Sequence, residues 1–130
     1  DIGLANPAIG PRLDAAINAC ERVGLPEGRI PLGTIVCEMA LSPKSNTAHI
    51  AFDAALADIE AGNTGNLPPH IKTDSTTYKY PHDYPGAYVV QQYLPDKIKN
   101  KKYYQPKDIG YEKQIKEIYE RLEKRKRGKK

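Results

Sequence analysis

The groups that could carry chemistry are few and scattered: three histidines, two cysteines and sixteen carboxylates in 130 residues. His49 and Asp53 stand four apart, so they share a helix face. That spacing suits a surface or interface hydrogen bond better than half of a catalytic dyad. His82 and Asp83 lie between two X-Pro steps, Tyr80-Pro81 and Tyr84-Pro85, where turn bonding is a simpler role than acid–base work. No Cys-x-x-Cys, His-x-x-x-His or Glu-x-x-His spacing offers a metal its ligands. Ser45, Ser75 and Cys37 have no base nearby in sequence. No Gly-x-x-x-x-Gly-Lys-Ser/Thr loop is present to cradle phosphates, which excludes ATP hydrolysis by the usual route. Catalytic, cofactor and metal positions are therefore all expected to be none, and the chain is not expected to be an enzyme.

Charge is the stronger signal. Residues 1–73 carry five Lys/Arg against eight Asp/Glu, a balance of −3, while residues 74–130 carry fifteen against eight, or +7. The basic residues cluster twice: Lys97, Lys99, Lys101 and Lys102 precede Tyr103-Tyr104, and Lys124 to Lys130 end the chain. Lysines attract phosphates cheaply and in a salt-dependent way, and tyrosine rings stack on unpaired bases. Lys99, Lys101, Lys102, Lys124, Arg125, Lys126 and Arg127 are the nucleic-acid candidates; the competing reading is a solvated rim.

These residues must be placed by helices. Asn6-Pro7 reads as a helix start, with Ile9, Leu13, Ala16, Ile17 and Cys20 on one face and Gly24 as the stop. A second helix is expected from about Pro31 to Leu41 on the face Leu32, Ile35, Val36 and Met39. A third runs from about Ser45 to Ala61 on the face Ala48, Ala51, Phe52, Ala55, Leu56 and Ile59. Its small residues allow close helix approach, so this face is the candidate surface for packing or self-association. Cys20 and Cys37 fall in the apolar patterns and are expected to be buried free thiols.

From Leu67 to Gln105 the helical periodicity is lost. Seven of the nine tyrosines lie between 78 and 104, interleaved with proline, which suggests an extended strap lying rings down and hydroxyls out. A last helix is expected from Asp108 to about Arg127, with the stripe Tyr111, Ile115, Ile118, Tyr119 and Leu122. A Glu112-Lys116 pair falls on its opposite face. The chain then divides as 1–66, three helices; 67–106, the arm; and 107–130, helix and basic tail, all one domain. The fold class is all-α. The N-terminus lacks a signal-peptide pattern, and no stretch approaches the ~20 apolar residues of a membrane span, so a soluble, cytoplasmic chain is expected.

Four runs are distinctive together: Glu21-Arg-Val-Gly-Leu-Pro-Glu-Gly-Arg-Ile-Pro-Leu32, Ala40-Leu-Ser-Pro-Lys-Ser-Asn46, Tyr78-Lys-Tyr-Pro-His-Asp-Tyr-Pro-Gly86 with Gln91-Gln-Tyr-Leu-Pro-Asp96, and Tyr103-Tyr-Gln-Pro-Lys-Asp-Ile-Gly-Tyr-Glu112. In this order they resemble the C-terminal region of the replication-associated recombination protein A family, AAA+ ATPases related to clamp loaders and to the Werner-helicase-interacting proteins. The resemblance implies a small helical bundle like the clamp-loader collar, which holds subunits together as a homotetramer. It implies a parent that uses ATP and Mg, acts on DNA at stalled replication forks in the bacterial nucleoid, and meets single-strand-binding protein as a partner. The phosphate loop and arginine finger belong to the ATPase core and map onto no residue here. The family pattern also leads one to expect a longer stretch between Ile71 and Tyr78 than the six residues found.

Overall fold

The computed structural model describes residues 1–128; Lys129 and Lys130, part of the basic tail, lie outside the described residues. Four α-helices carry the chain: α1 (Ile9–Val23), α2 (Arg29–Leu41), α3 (Thr47–Glu60) and α4 (Glu112–Arg127). No strand occurs among the described residues. The all-α reading holds, and each helix starts two to four residues away from its expected position. Asn6 caps nothing in α1: it closes a short 3-10 turn at Gly3–Ala5, and its side chain donates to the Ser42 hydroxyl at 3.1 Å. α1 starts only at Ile9 and ends at Gly24, whose N–H bonds the Cys20 carbonyl at 2.8 Å.

Two compact units divide the chain: Asp1–Ile50 with Tyr104–Tyr119, and Ala51–Tyr103 with Glu120–Lys130. They cut across the three sequence segments, because α3 and α4 each contribute to both. In the first unit α1 and α2 form an antiparallel hairpin around Ala16 and Ile35, tied outside by the Arg12–Glu38 ion pair. The second unit contains the arm. It has no ladder, so its backbone groups find side chains and turns instead. Three short 3-10 turns punctuate it, at Pro69–Ile71, Pro81–Asp83 and Asp96–Ile98, with a left-handed turn at Pro85–Ala87. The Gln91 amide brackets Lys79, accepting from its N–H at 3.3 Å and donating to its carbonyl at 2.7 Å. His70 meets the Gln92 carbonyl at 2.6 Å. Val89 and Ile98, with Pro68, are buried in this unit.

The expected faces are rotated. On α3 the inward positions are Thr47, Ala51, Ala55 and Asp58, whereas Ala48, Phe52 (69% exposed), Leu56 and Ile59 (60%) face outward. On α4 the inward line is Glu112, Ile115, Tyr119 and Leu122, while Tyr111 and Ile118 of the expected stripe are exposed. On α2 Ile35 is buried as expected, but Val36 is exposed. Both cysteines are free thiols, yet Cys37 is exposed and Cys20 only half-buried, so their expected burial is incorrect: α2 turns its Cys37 side away from α1.

Candidate functional site

Two carboxylates organise the molecule. Glu112 opens α4 and is completely buried. Its oxygens accept from the Ser45 and Thr47 hydroxyls, in short bonds, and from the Tyr104 hydroxyl at 2.9 Å. The segment that delivers it is fixed by a close backbone approach: Tyr111 N–H bonds the Ala5 carbonyl at 2.9 Å. Gly110, at φ +53°, makes room, since a Cβ there would lie 2.4 Å from that carbonyl oxygen. Burial alone would raise the Glu112 carboxyl pKa. The Ser45, Thr47 and Tyr104 hydroxyls, with the Lys107 backbone, outweigh it and hold the group below its ordinary value of 4.5. Burial, then the bond to Glu112, pushes the Tyr104 phenol up to about 12. The Tyr104 ring also meets Tyr119 edge-on at 5.8 Å. The expected surface pairing of Glu112 with Lys116 is therefore incorrect in its placement: the carboxylate points inward, and Lys116 reaches Asp108 at 2.5 Å.

Asp58, near the other end of α3, takes the Tyr103 hydroxyl at 2.8 Å and the Lys101 ammonium at 3.2 Å. The Tyr103 bond chiefly, then Lys101, holds its carboxyl below the ordinary 3.8, and Asp58 in turn raises the Tyr103 phenol. Tyr103 and Tyr104 thus turn their hydroxyls in, against the expected hydroxyls-out strap. Nothing in the sequence marked Asp58, Glu112, Ser45 and Thr47 as partners; the signal would have been polar residues at positions that prove to be helix-facing.

All seven nucleic-acid candidates fall in the second unit. Structure joins the two sequence clusters through Glu123, which accepts from Lys102 at 2.5 Å and from Lys126 at 3.0 Å; these bonds lower its pKa. Lys101 is engaged by Asp58, and Lys99, Lys124 and Arg127 are exposed. Arg125 lies over the Tyr88 ring, 5.7 Å from its centroid. His82 packs its ring against Tyr80 at 5.0 Å. His49 and Asp53 are both exposed on α3. Among the described residues no three His, Cys, Asp or Glu side chains gather as a metal site, and no helix is long and apolar enough to cross a membrane.

The other prominent surface is apolar. From Ile30 to Leu41, α2 carries a single charge, Glu38, yet Ile30 (73% exposed), Val36 and Leu41 (85%) face outward along with Cys37 and Ala40. A helix without a polar face is ordinarily buried. On α3, Phe52, Leu56 and Ile59 are also exposed, beside His49, Asp53 and Glu60.

Four helices and an arm pinned by two buried carboxylates define a small all-α domain. The chain belongs to the family described as MgsA AAA+ ATPase C terminal, which matches residues 1–123. It is 52% identical over 137 aligned positions to replication-associated recombination protein A of Bacillus subtilis (strain 168), covering 97% of this chain and 32% of that protein. The proteins of the same name from Haemophilus influenzae and Escherichia coli K12 are each 33% identical, over 94% and 88% of the chain and 30% and 28% of their own length. The chain spans about a third of the length of the curated relatives it matches.

Proposed function

We propose that this chain is the self-association domain of an AAA+ ATPase that works in replication-fork maintenance, recombination and repair, and that it assembles as a homotetramer. The observation that carries this is the exposure of large apolar side chains on α2 (Ile30, Val36, Leu41) and, separately, on α3 (Phe52, Leu56, Ile59). The remainder of the protein would bind ATP and Mg and act on DNA at forks, with single-strand-binding protein as a partner and the bacterial nucleoid as its place of work. Light scattering tests the self-association: a tetramer mass is expected. Phe52→Glu with Leu56→Glu, both on exposed positions, is expected to shift it toward monomer with helicity intact. Ala55→Glu, at the half-buried border of that face, is expected to disturb the assembly or the core. A strict monomer at high micromolar concentration sinks the proposal.

A second reading is favoured by the convergence of both basic clusters on Glu123: this half contacts DNA. Removing residues 124–130 is then expected to lower DNA affinity, and the wild-type affinity to fall steeply between 50 and 200 mM salt, as counterion release requires. Salt-independent binding contradicts it.

A further inference from the structure

Beside the basic turn of α4 lies a cleft of about 430 Å³, lined chiefly by Tyr84, Pro85, Tyr88, Val90 and Arg125. That volume is in the range of ligand pockets, roughly 300–1,000 Å³. Among the described residues its walls are apolar and aromatic, with the Arg125 guanidinium as the charged member and no carboxylate side chain. The two tyrosines reach one cleft because the chain reverses between them: Gly86 (φ +70°) and Ala87 (φ +51°) are successive left-handed residues. A non-glycine residue in that region costs energy and persists where the surroundings enforce it. The last turn of α4, which supplies Arg125 to the lining, also carries Lys124, Lys126 and Arg127, with Lys126 bonded to Glu123.

We propose that Tyr84, Tyr88 and Arg125 form a stacking site for a base of single-stranded nucleic acid, with the last turn of α4 holding the adjoining phosphates. Charge complementarity selects an anionic ligand, and the walls require that the anion also carry a flat apolar face. An unpaired nucleotide has both, whereas in a duplex the base faces are already stacked. An acidic peptide would match the cations as well, but it carries no flat aromatic face for the two tyrosines to stack on, and the peptide competitor below separates the two. The proposal rests on the nucleic-acid reading of the basic half and adds to it a site, a strand state and a mode of contact.

The test is fluorescence anisotropy of a labelled oligothymidylate at 50 mM salt, with a duplex, polyphosphate and an acidic peptide as competitors. Tyr88→Leu is expected to weaken oligothymidylate binding by about tenfold or more, within the range one base–aromatic stack is worth. Tyr88→Phe keeps the ring and should keep the affinity, and duplex binding should move little in either variant. As a measurement independent of folding in a variant, an oligonucleotide carrying 5-iodouracil should photocross-link the wild-type chain at Tyr84 or Tyr88. Unchanged oligothymidylate affinity in Tyr88→Leu, a cross-link elsewhere, competition by polyphosphate equal to that by the oligonucleotide, or displacement by the peptide in a Tyr88-dependent way overturns the stacking site. If duplex binding persists under those outcomes, the basic half still contacts DNA; if no nucleic acid binds at 50 mM salt, both readings fall.

Discussion

Glu112 and Asp58 are solutions to the same problem in two regions: each is a carboxylate that receives a tyrosine hydroxyl from the end of the arm, and the two tyrosines are neighbours in sequence. They differ in what completes the shell. Glu112 has no exposed surface, and its hydroxyl donors are neutral. Asp58 is completed by Lys101, whose own side chain is 53% exposed. A charge closed off from water depends on every donor around it, because a lost partner is not replaced by solvent. Asp58 is itself nearly buried, but its half-exposed Lys101 partner brings water to one side of the shell, so a lost partner there is more readily replaced. The first arrangement fixes the start of α4 against the start of α3; the second fastens the arm near the end of α3 and tolerates loosening.

The largest expected effect follows directly. Glu112→Gln keeps the shape but sets an amide donor against hydroxyls already oriented as donors. It should destabilise the chain by about 2 kcal/mol, the cost of leaving buried polar groups mismatched. Urea unfolding followed by circular dichroism measures this, and a change near zero would mean the shell is open to water. Asp58→Asn should cost clearly less in the same assay. If the two substitutions cost the same, the distinction between closed and open shells is lost.

The pair Tyr104→Phe and Tyr103→Phe sharpens the comparison one hydroxyl at a time. Removing the Tyr104 hydroxyl leaves the buried carboxylate one donor short, at about 1–2 kcal/mol; removing that of Tyr103 should move the midpoint less. Acid separates the shells further. The folded pKa of Glu112 lies below its ordinary 4.5, so its contribution is fully present above that value and is lost as pH falls through the folded pKa. Wild type should therefore lose stability on acidification below pH 4.5, and Glu112→Gln should show a shallower loss over the same window. Asp58 and Glu123, also lowered, account for the loss that remains.

How far this was readable beforehand follows from the same residues. The number and order of helices were readable because apolar spacing and Pro/Gly punctuation are local properties. The rotation of α3 and α4 was not, because a periodicity rule assigns the core to the most apolar stripe. Here Thr47, Asp58 and Glu112 take inward positions, since tyrosine, serine and threonine hydroxyls from distant segments satisfy them, and Phe52 and Ile59 are left outside. Of the six apolar positions on the expected α3 face, Ala51 and Ala55 turn inward, while Ala48, Phe52, Leu56 and Ile59 are exposed. The basic clusters were visible as composition. Their meeting at Glu123 was not, because Lys102 and Lys126 are separated by most of α4 and share no local pattern.

The smallest expected effect concerns salt. Lys101 and Asp58 are in direct contact, but the ammonium is half exposed, so raising ionic strength from 0.05 to 0.5 M should weaken that attachment, while the bonds that Glu112 accepts come from neutral hydroxyls. A double-mutant cycle between Lys101→Met and Asp58→Asn should give a small coupling at low salt that shrinks at high salt. The cycle between Tyr104→Phe and Glu112→Gln should give a larger one that salt leaves unchanged. Equal salt sensitivity in both cycles would mean that water reaches Glu112 as readily as Asp58. The start of α4 would then be held by its backbone bond to Ala5 rather than by its carboxylate.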